Sequence, residues 1–332
     1  MASRLGLQAP SFALAAENYA DAVGSPMSTS SLRRVTQATG AQMEAHRQAV
    51  VEQVYARPEP GGRADQPRVP PAAAIAGPAN LSTDGGMVLI RAEGWKEVKL
   101  TTVSAVAITA PVSPPPPEAA DSRRSQDPTV QLHSHSYQAG LWDADEMERH
   151  QYVEGLRRDL EHKPTLTSVN DGAPWITRIT RTNFPQAVQI TDWRHSQSRL
   201  WTVAHAVFKE PAAAQTWAIT QLDRLWEGDV HLVVKALQGL SLDETMPDLV
   251  RQSPEYFHTR QAQMAYAAFR QQGYPIGSGT VESGIDNVVH HRMKRPGRGW
   301  ARKSAQQMLA GLSELHSGRF EQAWQALHAS PS

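Results

Sequence analysis

Three acidic residues sit in short glycine-containing segments: Asp84 in Ser82-Thr83-Asp84-Gly85-Gly86, Asp171 in Asn170-Asp171-Gly172, and Glu282 in Gly277-Ser278-Gly279-Thr280-Val281-Glu282. Cleavage of a phosphodiester by a metal-bound water needs two divalent cations roughly 3.5 to 4 Å apart, one activating the nucleophile and one stabilising the leaving oxygen. Hard cations such as magnesium take carboxylate oxygens, so three acids meeting at one place would suit that chemistry. Each has a plainer explanation too. Asp-Gly is a common hairpin-turn pair, Asp171 fits a turn or a helix cap, and Glu282 suits a helix's first turn through the dipole. Asp192 competes with Asp171 as second acid. His195, at a strand-to-helix junction, can touch a phosphate, orient a carboxylate or be structural.

Composition narrows the alternatives. The chain has 332 residues and no cysteine, so disulfides, thiol nucleophiles and cysteine-ligated zinc are excluded. His133, His135, His290 and His291 lack ligand spacing and read as solvent-facing imidazoles. The 33 basic residues balance 33 acidic ones, so attraction for a polyanion must come from local clustering. One such cluster follows Glu282: His290, His291, Arg292, Lys294, Arg295, Arg298, Arg302 and Lys303 surround Pro296-Gly297. It can neutralise phosphates, and Trp300 can stack on a splayed base; a solvated face is the alternative. No stretch suits a signal peptide or a membrane span, and a soluble cytoplasmic protein is expected.

The elements that must position these residues follow from periodicity. Residues 1–57 read as helical, with a break at Val23-Gly24-Ser25-Pro26 and a new helix opening at Ser28. The pattern resembles a helix-turn-helix in which Arg33, Arg34 and Gln37 meet DNA while Leu32, Val35 and Thr36 pack inward or against the groove wall; a small helical bundle is the alternative. Residues 58–78 read as a linker, and 110–128 as a proline-rich insert in the first part of a core spanning 79–210. Strand-like runs cover Asn80–Asp84, Met87–Arg91 and Trp95–Ile108, with turns at Gly85-Gly86 and Glu93-Gly94. A helix over Asp143–His162, a strand over Thr165–Val169, a helix from Pro174, a strand over Ala187–Thr191 and a helix to Phe208 follow. Residues 211–272 read as an all-helical insertion with Trp217, Leu222, Leu225 and Trp226 inside, and 273–330 as the last part of the core with basic C-terminal helices. The order predicts an α/β, ribonuclease H-like mixed sheet flanked by helices.

The acidic segments, together with Gly94-Trp95-Lys96-Glu97-Val98-Lys99, Ala173-Pro174-Trp175-Ile176, Ile190-Thr191-Asp192-Trp193-Arg194-His195, Pro275-Ile276-Gly277-Ser278-Gly279 and Gly299-Trp300-Ala301, resemble the motifs of bacterial insertion-sequence DDE transposases, in a Mutator-like order with a helical insertion. The match spans about residues 80 to 325. The resemblance implies a magnesium-dependent nuclease and strand transferase, with manganese able to substitute, in which Asp84, Asp171 and Glu282 hold two ions. It implies terminal inverted repeats and target DNA as partners and a homodimer or higher oligomer. Alternatives are a transposase-derived DNA-binding protein without catalysis and a ribonuclease H-like nuclease without strand transfer.

Overall fold

The computed structural model describes residues 1–56, 69, 74–109, 127–295, 297 and 299–328. Most of the expected linker 58–78 and of the insert 110–128, and Arg298, therefore lie outside the described residues. Five strands form one mixed sheet in the order β3-β2-β1-β4-β5. They are β1 (Ala79–Ile90), β2 (Gly94–Thr109), β3 (Thr129–Gly140), β4 (Leu166–Asn170) and β5 (Val188–Thr191). β1, β2 and β3 pair antiparallel, and β4 lies parallel to both β1 and β5.

The first half of the sheet differs from expectation. Gly85-Gly86 makes no turn: β1 runs through it, and the hairpin turns at residues 91–93, where Ala92 has φ 63°. The glycines serve close approach instead. A Cβ on Gly86 would lie 2.8 Å from Ile285 Cγ2 and 3.1 Å from His290 Nε2. The two short runs are thus one strand, and the third antiparallel strand is β3, whose polar His133-Ser134-His135-Ser136 run hid it. β3 is an edge strand, half solvated over its first residues, where polar side chains cost nothing.

Fifteen α-helices follow the chain among the described residues: α1 (Ala2–Gln8), α2 (Phe12–Val23), α3 (Thr29–Tyr55), α4 (Ala144–Arg157), α5 (Pro174–Asn183), α6 (Trp193–Val207), α7 (Pro211–Trp226), α8 (Val230–Gln238), α9 (Asp248–Arg251), α10 (Ser253–Thr259), α11 (Tyr266–Gln271), α12 (Gly279–Gly284), α13 (His291–Met293), α14 (Arg302–His316) and α15 (Phe320–His328). Ser11 and Ser28 cap α2 and α3 by accepting from Leu14 N and Ser31 N, and Gly24 closes α2 in the left-handed conformation at φ 71°, as Ser caps and a terminal Gly should. One sheet face packs Leu81 and Val103 against Leu160 and Phe184. The other packs Val88, Ile90, Val98 and Leu100 against Val281, Ile285, Val289 and Leu309. The helices between Pro211 and Gln271 form a separate core with Val169, Ile190 and Leu200, so the insertion seats on the β4–β5 end.

The N-terminal helices do not stand apart. Leu7 and Met43 belong to the same cluster as Met308, Leu309 and Leu312 of α14. Leu32 and Thr36 are buried and pack inward, while Val35 is exposed. Ile75, in the expected linker, is buried against Leu81. No helix among the described residues is long and apolar enough to cross a membrane.

Candidate active site

Strand register sets the aspartates in a row. Leu81 pairs with Ser168 and Asn170 with Thr191; continuing each register puts Asp84 level with Asp171, and Asp171 level with Asp192. Backbone pairing of β1 with β4 stops at Leu81–Ser168, and the Asn170 side-chain oxygen instead accepts from Thr83 N at 2.7 Å. β4 ends there while β1 continues, so the sheet edge steps back and leaves a recess. Asp84 shares its face of β1 with Val88 and Ile90, the face that packs on Val281 and Ile285. It therefore points toward the layer that carries Glu282.

Glu282 lies in the first turn of α12, where Ser278 Oγ donates to its Oε1 at 3.0 Å. Close approach of this segment to the sheet requires two glycines: Gly86, and Gly284, where a Cβ would stand 2.9 Å from the Tyr137 ring. The six residues Ile285–His290 continue as a π-helix, a wide turn of the kind found at functional sites. The loop before Glu282 is tied to β5: Trp193 N donates to Ile276 O at 2.9 Å, and Ser278 N donates to Asp192 Oδ2.

Asp192 is the hub of that tie. It is fully buried and caps α6, with Oδ1 accepting from His195 N at 2.7 Å and lying 3.0 Å from His195 Nδ1. Burial alone would raise its carboxyl, but the hydrogen bonds from the His195 ring, His195 N and Ser278 outweigh it, and the carboxyl is held below its ordinary value. Both oxygens are engaged, so Asp192 is suited to positioning rather than to taking Asp171's place as second acid. Its spacing to His195, cap residue to N3, was readable in Asp192-Trp193-Arg194-His195.

Asp171 and Glu282 both lie within electrostatic reach of Asp84. Asp84 is pushed up to about 6, chiefly by burial and further by the carboxylates of Asp171 and Glu282, against relief from Gly85 N and His195. His195 is raised by its bond to Asp192, against burial, and by Asp171 and Glu282. Among the described residues no Lys or Arg forms an ion pair with Asp84, Asp171 or Glu282. Asp192, His195 and Glu282 offer ligand atoms that all lie within 4.8 Å of one another, and among the described residues no other set of three, the predicted triad included, meets that spacing. A cluster of carboxylate oxygens is the donor set a hard divalent cation takes.

The helical insertion holds Asp171 from behind. Tyr256 Oη donates to Asp171 O at 2.9 Å, and Arg260 donates to Gly172 O from Nε at 3.0 Å and Nη2 at 2.7 Å. The Tyr256 ring is sandwiched between Arg199 at 4.0 Å and Arg260 at 4.4 Å. Gly172 has φ 86°, and a Cβ there would meet Arg260 Nε at 2.7 Å. Sequence reading found none of these three supports, because they join segments some 85 residues apart in the chain.

The residues expected on DNA divide by environment. Arg33, Arg34, Lys294 and Lys303 are exposed. Arg302 is exposed but pairs with Glu93 at 2.7 Å, and Arg295 is half-buried. Arg292 is a correction: it is buried and donates to Gly6 O and Pro10 O, pinning the N-terminal segment. Trp300 is another, since its Nε1 donates to Met293 O at 3.1 Å and its ring stands edge-on to Phe12, leaving it embedded rather than free to stack on a base. Among the histidines, His290 is half-buried with Nδ1 3.0 Å from Asp286, and His135 is bonded to Ser104, so neither simply faces solvent. No protein-family model matches the chain, and no curated protein matches it.

Proposed function

We propose that the chain is a DDE-type DNA transposase, cutting strands at the ends of an insertion-sequence element and joining them to target DNA. The observation that carries this reading is that Asp84, Asp171 and Glu282, from three separate elements, come within electrostatic reach of one another beside His195, with no Lys or Arg paired to them among the described residues. The strand order β3-β2-β1-β4-β5, with β2 antiparallel to its neighbours, supports it, being that of a ribonuclease H-like sheet.

In this reading Asp84, Asp171 and Glu282 hold two magnesium ions, with manganese able to substitute, and the ions supply Lewis-acid activation of a water and of a DNA hydroxyl. Ser278 fixes the Glu282 carboxylate, Tyr256 and Arg260 fix the turn after Asp171, and Asp192 orients the His195 ring toward the recess. Strand joining at two element ends calls for a homodimer or higher oligomer on DNA. The setting is the bacterial cytoplasm.

The test uses plasmid DNA carrying the genomic sequence on either side of the coding region, where this reading expects inverted repeats, with magnesium or manganese. Asp171→Asn is expected to lower nicking by about 100-fold or more, since loss of a ligand costs several kcal/mol of charge stabilisation. Equal cleavage by wild type and variant would remove Asp171 from the mechanism. Joining of a pre-cut end into plasmid separates a transposase from a nuclease that only cuts.

A further inference from the structure

A second cavity of about 380 Å³ lies between α3, the turn after β1 and the segment leading into α14, lined by Arg33, Gln37, Arg91, Arg292 and Trp300 among others. Arg33 comes from the N-terminal helices, whereas Arg91 and Trp300 come from the sheet end, where Trp300 bridges to Ile90. No carboxylate lines the cavity among the described residues. In a chain whose charges balance overall, three guanidinium groups around one hollow repel each other unless an anion joins them.

Each arginine has a defined state. Arg33 is exposed and makes no ion pair or hydrogen bond with any described residue. Arg91 is fixed by its Nε, which donates to Gly299 O at 2.7 Å. Arg292 stands behind, 4.3 Å over the Phe12 ring and 5.3 Å over Trp300, adding charge without reaching solvent. With both rings already covered, the hollow offers a base no free aromatic face, but it offers a backbone phosphate several cationic donors.

Its place fits the same substrate. From Asp84 to Ile90 the strand advances six residues, about 20 Å, which equals about six base pairs of duplex. We propose that this hollow grips the phosphodiester backbone of duplex DNA about six base pairs from the acidic recess, so that α3 and the sheet end hold DNA together as one composite site. The inference rests on the transposase reading for the identity of its ligand, but its test does not depend on cleavage.

Fluorescence anisotropy of a labelled duplex of about 20 base pairs, in EDTA and across a salt series, measures binding by the full chain. Arg33→Ala is expected to weaken affinity 3- to 10-fold and to flatten the log–log salt slope by about 0.9, and Arg33→Ala with Arg91→Ala by about 1.8, as for one and two lost phosphate contacts. Lys209→Ala, an exposed change on the link to the insertion, is expected to leave both unchanged. Circular dichroism melts confirm that each variant is folded. An unchanged slope in the folded double variant overturns the proposal, as does an equal loss in Lys209→Ala. Inorganic phosphate is the second probe: if it binds wild type and not the double variant while duplex binding is the same in both, the pocket serves a free anion and the proposal fails. Loss of slope alongside absent nicking would keep this site and sink the nuclease reading.

Discussion

Asp84 has its ionisation opposed from two directions, by burial and by the carboxylates of Asp171 and Glu282. The sign of the consequence is unusual for an aspartate. Its folded pKa of about 6 lies above the ordinary 3.8, so the native state binds the proton more tightly than the unfolded chain. Stability of the metal-free protein therefore falls as pH rises from about 4 to about 6, and above 6 the whole penalty is present, on the order of 2 to 3 kcal/mol. Asp84→Asn removes the charge at nearly constant shape. It is expected to raise the thermal midpoint of metal-free protein at pH 7.5 and to leave it unchanged near pH 4. Magnesium should stabilise the wild type at pH 7.5 and not the variant, and its apparent affinity should drop below pH 6 as protons compete for Asp84. A midpoint that Asp84→Asn lowers at pH 7.5 would show that no such repulsion exists. The sequence singles out Asp84, Asp171 and Glu282 because each sits in a short motif with flanking glycine or serine. Asp192 was legible only as a rival acid, since saturation of its two oxygens depends on Ser278, 86 residues away.

At the scale of elements, β2 and the second half of the sheet were legible, whereas the continuity of β1 and the existence of β3 were not. β4, α5, β5 and α6 follow local signals: an apolar run, Pro174 at a helix start, and Asp192 as a cap. Gly85-Gly86 carries the same local signal as a hairpin turn, but Gly86 is required by Ile285 packing against the strand, which no local pattern reveals. The insertion was legible as helical, whereas its task was not. α10 and the Arg260 that follows it reach across to the turn after β4 and hold the carbonyls of Asp171 and Gly172, so they fix the direction in which Asp171 leaves the strand. Tyr256→Phe deletes one hydrogen bond worth about 1 kcal/mol and keeps the ring between Arg199 and Arg260. It is expected to lower nicking about 3- to 10-fold, with a thermal midpoint within a few degrees of wild type. Arg260→Ala, which frees the Gly172 carbonyl, should lower it further. Nicking by Arg260→Ala at the wild-type rate would mean that the insertion does not position the acid.

For the whole molecule, the decisive contact is the seam between α3 and α14. A Cβ on Gly40 would overlap the carbonyl of Gln307, so α3 meets the α14 backbone through glycine, and a Cβ on Gly311 would lie 2.9 Å from the Leu7 side chain of α1. Arg47 adds to the seam: it pairs with Glu44, donates to Ala139 O at 2.9 Å and lies 4.6 Å over the Trp142 ring. Behind it the wholly buried Glu154, which burial would raise, is held at about 2 by Arg319 and Arg157 and joins α4 to the C-terminal helices. An autonomous DNA-binding module would unfold on its own and leave the sheet intact. Helices that share the sheet's core must unfold with it, and only then can Arg33 keep a fixed distance from Asp84. Gly40→Val separates the two cases, because a branched side chain at that crossing overpacks the seam at about 1 to 3 kcal/mol. With one shared core, it should lower a single cooperative melting transition by about 1 to 4 °C, given the usual size scaling, and proteolysis should attack N-terminal and sheet segments together. Two transitions, with only the first displaced by the substitution, would instead establish an independent N-terminal unit and would remove the fixed spacing on which joint DNA binding depends.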